Sequence, residues 1–299
     1  MTTPKEKLRK EGYHIFRGVF QQDQIDHLRD ACSKAGHGDT LAQSCFNGVS
    51  LSSEMMKVLG EVFDEPIIYP CLSQNRWNDN PKKVGSRYFH VDSIPDDGNY
   101  EEEYGIYNVG IYLQDHKNFG GGLKMRPGSH KVPCESMKSV QEWSRLLFKS
   151  LLRLDLARVK RLLIPPRSIN LDTSPGDVII WNTRTHHSGY FVKLKLFKNL
   201  SLPAIVENWV PRFMRIDNPQ KRAVLLSIYC KQTKYVEDYI ANQIRKEYRS
   251  DYYFANKELE NQEKVNFAKE RGIIIRNDGY LYQSKLREFQ TEVKDRYLS

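Results

Sequence analysis

The chain has 299 residues, a formal net charge of +9, 39% hydrophobic and 28% charged residues. That is length and apolar content enough for a buried core, and no apolar run approaches the length of a helical membrane span. Five cysteines (Cys32, Cys45, Cys71, Cys134, Cys230) lie scattered without paired spacing, which excludes a disulfide framework and a cysteine metal cluster.

In chain order, residues 4–35 read as a helix, a short strand over Tyr13–Phe20, and a helix on which Ile25, Leu28 and Cys32 recur at helical spacing. Met55 to Phe63 continues helically, and Pro66 to Leu72 with Trp77 begins a sheet. A strand through His90 and Asp92, an acidic loop at 96–103 and a buried strand over Tyr107–Leu113 follow. Gly120-Gly121-Gly122 and Pro127-Gly128 mark turns. From Val140 to Leu163 the pattern is helical and basic, with Arg153, Arg158, Lys160 and Arg161 among the polar positions. Ser168–Leu171, Asp177–Trp181 and Lys221–Tyr229 return to strand character, and a second insertion rich in Lys, Leu and aromatics spans 190–217. The tail carries helical charge patterns, then Asp278-Gly279 between apolar runs, a hairpin signal.

Charge is unevenly placed. The tail from Tyr235 holds 12 Lys or Arg and 12 Asp or Glu, so the excess lies upstream, 34 basic against 25 acidic. A basic body suits an anionic small molecule or a nucleic acid, but no nucleic-acid motif accompanies it.

The chemistry-bearing stretch is Arg87-Tyr88-Phe89-His90-Val91-Asp92-Ser93. Side chains two apart on a strand share a face, so His90 and Asp92 supply two ligands of a 2-His-1-carboxylate facial triad, the Fe(II) site of non-haem oxygenases. The third comes from Trp181-Asn182-Thr183-Arg184-Thr185-His186-His187-Ser188-Gly189. His186 and His187 are adjacent and face opposite sides, so only one of them can bind.

The order His90-x-Asp92, Gly121-Gly122-Leu123 through Pro127-Gly128-Ser129-His130-Lys131, Pro175-Gly176-Asp177-Val178 and Arg184-x-x-His187-x-Gly189 resembles the phytanoyl-CoA dioxygenase-like family of Fe(II)/2-oxoglutarate-dependent oxygenases. The opening Glu11–Phe20 is also similar, and the resemblance covers roughly residues 8–230. It implies a mainly β fold with flanking helices around a double-stranded β-helix (jelly-roll, cupin-like) core. The oxygenase domain would span 1–234 with helical insertions near 132–168 and 190–217, and 235–299 would be a helical and hairpin extension packed on it. The family spacing selects His187 as the distal ligand and makes His130 scaffold. The expected cofactors are Fe(II), 2-oxoglutarate as cosubstrate and O2. In some members a Gln near Gln74 touches the cosubstrate. The family's Arg for its far carboxylate has no counterpart at the usual spacing, where Lys198 stands; Asn218 to Leu225 resembles the displaced segment and favours Arg222 over Lys198.

The resemblance implies an oxygenase, most simply a hydroxylase, acting on a small molecule. Desaturation, cyclisation or epimerisation share the same centre, whereas halogenation is disfavoured because Asp92 keeps the carboxylate ligand. A catalytically silent binding protein and an oxygenase of nucleic acid are the alternatives. The expected setting is cytoplasmic, with no membrane partner, as monomer or homodimer.

Overall fold

The structure, a computed structural model, describes residues 2–64, 66–78, 89–93, 100, 103–133, 140–163, 167–189, 191–198, 200, 202, 207, 210–216, 218–246 and 249–298. Helix α1 (Pro4–Glu11) begins with a reciprocal cap: the Glu6 amide donates to Thr3 Oγ1 at 3.2 Å and the Thr3 amide to Glu6 Oε2 at 2.8 Å. Gly12 ends it at φ +83°, where a glycine pays no Cβ penalty. Strand β1 (Tyr13–Phe16), helix α2 (Gln22–Lys34) and helix α3 (Ser53–Gly60) follow. Strands β2 (Ile67–Tyr69), β3 (Gln74–Asn78) and β4 (Ile106–Tyr112) lead to the one-turn helix α4 (His116–Phe119) and to β5 (Lys124–Met125). Helices α5 (Val140–Leu152) and α6 (Leu156–Leu163) precede β6 (Ile169–Asn170), β7 (Asp177–Asn182), β8 (His187–Ser188) and β9 (Arg222–Lys231).

The strands form two sheets. The larger runs β1-β7-β4-β9-β2 with β3 also on β9, and the smaller is β6-β5-β8. Alternation along β4, β7 and β9 sends residues to opposite faces. One face carries Tyr107, Val109, Ile111, Val178, Ile180 and Leu225, which pack with Ile25 and Leu28 of α2 and Met55 and Leu59 of α3. The other carries Tyr112, Ile179, Trp181 and Val224, packed with Leu123, Met125 and Leu171 of the smaller sheet and the strand leading from it. Strands buried on both faces explain why Asp177–Trp181 reads as an unbroken apolar run rather than an alternating one. The chain is sheet-rich with helices, 43% helical and 19% strand. Much of the helix lies in the 140–163 insertion and the tail, both of which read as helical in the sequence.

The two insertions sit differently. In the first, α5 and α6 pack against one another around a turn in which Leu154 adopts φ +53°. The second lies on the outer side of the small sheet. Lys124 and Ser188 are opposite one another there, and the wholly buried Lys124 ammonium meets the equally buried Glu207 carboxylate at 2.5 Å. Val192, Leu194 and Val210 close a small apolar cluster of their own.

The tail belongs to the sheet. Helix α7 (Tyr235–Ile244) lays Tyr235, Val236, Tyr239 and Ile240 on Ile106 and Ile228. Helices α8 (Ser250–Phe254) and α9 (Gln262–Lys269) lead to β10 (Ile273–Ile275), which pairs in parallel with β2. The hairpin expected at Asp278-Gly279 is absent: these residues start helix α10 (Asp278–Leu298). Asp278 lies in its first turn, where a carboxylate suits the helix dipole, and Gly279 sits so close to the Tyr253 ring that a Cβ would come within 2.3 Å of it. The buried Asp39 carboxylate accepts from the Tyr69 hydroxyl (2.6 Å) and the amides of Leu41 (2.8 Å) and Ser73 (2.7 Å), while its own amide donates to Asn256 Oδ1 of the tail (2.7 Å). The four described cysteines are free thiols. Among the described residues no helix is long and apolar enough to cross a membrane.

Lys124→Met leaves the Glu207 charge buried without its partner, so chemical denaturation is expected to show a loss of about 3–5 kcal/mol. The pair variant Lys124→Met/Glu207→Leu, which removes both charges, should recover most of that loss. A single variant as stable as wild type would show that the pair does not anchor the insertion.

Candidate metal centre

Residues 89–93 run extended beside the loop and strand that end in β8. Among the described residues of the expected strand the pairing is one antiparallel bridge, in which the His90 amide donates to the His187 carbonyl (2.9 Å) and the His187 amide to the His90 carbonyl (3.0 Å). The Asp92 amide donates to the Thr183 carbonyl at 2.9 Å. This pairing sets the two imidazoles abreast, ring centres 4.3 Å apart, with Asp92 two residues on and on the same side. Asp92 Oδ2 lies 3.2 Å from His187 Nε2, and Asp92 Oδ1 3.8 Å from His90 Nε2. One ligand atom from each of the three residues falls within 4.8 Å of the others.

Neighbouring elements fix each side chain. His187 Nδ1 lies 2.9 Å from the Thr185 carbonyl, a contact that requires a proton on Nδ1 and leaves the Nε2 lone pair for a ligand. Asn108, facing inward from β4, donates from Nδ2 to Asp92 Oδ2 at 2.8 Å. The Trp181 ring stands edge-on to His187 at 5.7 Å. His187 is 5% exposed, against 33% for His90 and 40% for Asp92, so the site has a buried back and an open front. Burial alone would raise the Asp92 pKa; the His187 and His90 imidazoles and the Asn108 amide overcome it and hold the carboxyl well below its ordinary range. Burial likewise opposes the His187 imidazolium, but Asp92 prevails and raises its pKa.

His187, not its neighbour, joins the cluster. His186 packs on the other side under the 126–132 loop, its Nε2 3.2 Å from the Val132 carbonyl, and burial pushes its pKa down to about 4. His130 rests against the first helix, Nε2 3.3 Å from the Arg9 carbonyl. Asn108 pairs with Ile228, Gly110 with Leu226 and Leu226 with Gln74, so Gln74 shares the inner face of the larger sheet with Asn108. Arg222, four positions along β9 from Leu226, points to the same face. Lys198 is exposed in the second insertion. The acidic loop at 96–103 falls largely outside the described residues, as do the Arg161 side chain, Arg87 and Tyr88. Arg153 and Lys160 are exposed and Arg158 is half-buried.

Sequence reasoning missed two inward groups. Asn108 gave no signal beyond its place in a buried strand. His116 follows β4 and is wholly buried, its Nδ1 2.9 Å from Thr173 Oγ1; burial and then the Arg222 charge push its pKa down to about 3, so the ring is neutral.

Two imidazole nitrogens and one carboxylate oxygen on one side, with two of the three residues a third or more exposed, are the donors a divalent first-row transition metal takes while keeping positions for other ligands. The inner chamber also holds polar atoms with no hydrogen-bond partner among the described residues, the Trp181 indole N–H beside His187 and His116 Nε2. Buried polar atoms are rarely left so. The residues therefore fit such a metal.

No family model matches the chain, and no curated protein matches it. Solved structures do. SnoN, described as a non-heme alpha ketoglutarate dependent epimerase from nogalamycin biosynthesis, is 12% identical over 77% of this chain and 80% of its own, at a TM-score of 0.49. HygX from Streptomyces hygroscopicus, with nickel, 2-oxoglutarate and hygromycin B bound, is 14% identical over 75% and 85%, at 0.47. SnoK, described as a non-heme alpha ketoglutarate dependent carbocyclase, is 16% identical over 76% and 83%, at 0.49.

Titration of the protein with Co(II) should give one tight site. His187→Ala should abolish it and His186→Ala should leave it near wild type. Asn108→Ala, which frees Asp92 to turn, should weaken it by about tenfold or more. The reverse ranking of the two histidines would place the metal on the other side of the chain.

Proposed function

We propose that the chain is an Fe(II)- and 2-oxoglutarate-dependent oxygenase of the phytanoyl-CoA dioxygenase-like kind, its two sheets forming a double-stranded β-helix. The single observation that carries the reading is the His90–Asp92–His187 cluster, whose donor set and one-sided opening suit Fe(II). Iron held there with 2-oxoglutarate and O2 supplies oxidative decarboxylation of the cosubstrate to succinate, coupled to oxidation of a substrate C–H bond.

The protein's own residues position and shield. Asp92 partly neutralises the metal, and Asn108 holds its carboxylate in place. Thr185 keeps His187 in the tautomer that presents Nε2. Arg222 offers the planar fork that a carboxylate takes bidentately, and it faces the same chamber as Gln74, Tyr112 and His116. The cosubstrate would then lie along the inner face from the cluster past Gln74, its far carboxylate on Arg222 and the Trp181 indole N–H along its path. The apolar wall of Ile179, Leu123, Met125 and Leu171 keeps water from that face. The substrate is a small molecule entering on the open His90–Asp92 side. Hydroxylation is the simplest outcome, and epimerisation, cyclisation or desaturation would draw on the same centre.

With Fe(II), ascorbate and 2-oxoglutarate the protein should form succinate, and His90→Ala, Asp92→Ala and His187→Ala should each abolish it. Arg222→Ala should raise the KM for 2-oxoglutarate by about tenfold or more while the melting temperature holds, and Lys198→Ala should do little. A wild-type protein that binds metal yet forms no succinate, alone or with candidate substrates, would leave a metal-binding protein without this chemistry.

A further inference from the structure

Two apolar surfaces face water, and exposed Lys and Arg residues lie among both in sequence. At the turn of the first insertion, Phe148 is 64% exposed, Leu151 50%, Leu152 70%, Leu154 81% and Leu156 72%. Among the described side chains of the two helices, Ser150 is buried and Leu146, Leu147 and Val159 are half-buried, so apolar groups also lie on the packed side. The outward face is thus apolar in addition to, not instead of, the packed one. Residues 144–160 include Arg145, Lys149, Arg153, Arg158 and Lys160 against a single acid, Asp155. That acid is engaged, since its Oδ1 caps α6 by accepting from the Arg158 amide at 2.9 Å.

The second insertion ends the same way. A backbone bridge between Leu194 and Arg215, with the Lys195 amide donating to the Met214 carbonyl at 3.0 Å, joins two stretches into one tip. On it Leu196 is 83% exposed, Phe197 60%, Leu200 48% and Phe213 76%. Lys195, Lys198 and Arg212 are exposed beside them, and the described residues of 194–200 and 210–216 include no acid.

Large side chains held in water over contiguous patches mark a surface that meets something. The charge decides what. A second copy of this chain, meeting patch to patch, would bring cation against cation. A nucleic acid would answer the charges and leave the leucines and phenylalanines wet. An uncharged apolar partner would bury the leucines and strand the charges. We infer that these two tips dock on an anionic lipid surface, the leucine and phenylalanine side chains entering the headgroup boundary and the Lys and Arg side chains pairing with lipid charge. This is the pattern of interfacial helices and basic juxtamembrane segments. A surface contact of this kind needs no spanning helix. The active-site chemistry plays no part in the inference, which stands or falls separately.

The test is co-sedimentation of the full chain with phosphatidylcholine vesicles and with vesicles containing about one-third phosphatidylglycerol. Partition onto the anionic vesicles should be about tenfold stronger or more, and most of it should vanish in about 0.5 M NaCl, where the Debye length falls to about 4 Å. The double variants Leu152→Glu/Leu154→Glu and Leu196→Glu/Phe197→Glu, all at exposed positions, should each lower partition by about fivefold or more with unchanged circular dichroism and melting temperature. Equal partition onto both vesicles, or double variants that both sediment like wild type, would overturn the inference. So would a wild-type dimer that avoids vesicles and becomes monomeric in either double variant, which would assign the patches to a second copy.

Discussion

The site depends on one backbone contact, the two-way hydrogen bond between His90 and His187. A cluster of this kind needs donors from distant parts of the chain held within a few ångströms, and side chains alone cannot set that distance. The bridge does so through amides and carbonyls, which tolerate little displacement. The Asp92 amide, bonded to the Thr183 carbonyl, extends the pairing and keeps the third donor in step. Everything behind it is support: β5 holds β8, the apolar layer between the sheets holds β5, and Asn108 reaches across from the larger sheet to the carboxylate.

Much of this was legible in the sequence, and the reasons differ by element. The helices within 4–34 and at 53–60 announce themselves by periodicity, because each buries one stripe, and the central strands of the larger sheet by near-continuous apolar runs, because they are buried on both faces. The spacing of His90 and Asp92 is local, and a two-residue step along extended chain holds whether the chain sits in a full strand or in one bridge. Adjacent His186 and His187 could not be told apart by residue type; the loop that packs on His186 and the bridge at His187 decide, and both are long-range. Asn108 was hidden because a polar residue in a buried strand looks the same whether it bonds a ligand or a neighbour. The tail misled for a related reason. Asp278-Gly279 fits a tight turn locally, but the Tyr253 ring and the dipole of the following helix make the same pair a helix start.

The insertions show how a scaffold accepts added chain. The second is fastened by an ion pair in the dry outer layer of the small sheet, Lys124 with Glu207, and by the Gly121 amide on the Phe191 carbonyl at 2.8 Å. A buried pair costs desolvation and repays it only in one geometry, so it specifies position more than it adds stability. The first insertion takes the opposite course: its helices satisfy one another and leave their outer face to the surroundings.

The pairing of β10 with β2 has a consequence for how the protein is made. Ile67 to Tyr69 pair in parallel with Ile273 to Ile275, which come much later in the sequence. During synthesis the β2 edge therefore stays open until β10 has left the ribosome. An open edge invites other strands. Nascent chains crowded on one messenger would meet each other first through this short isoleucine-rich rim, and the emergence of β10 is the step that closes it.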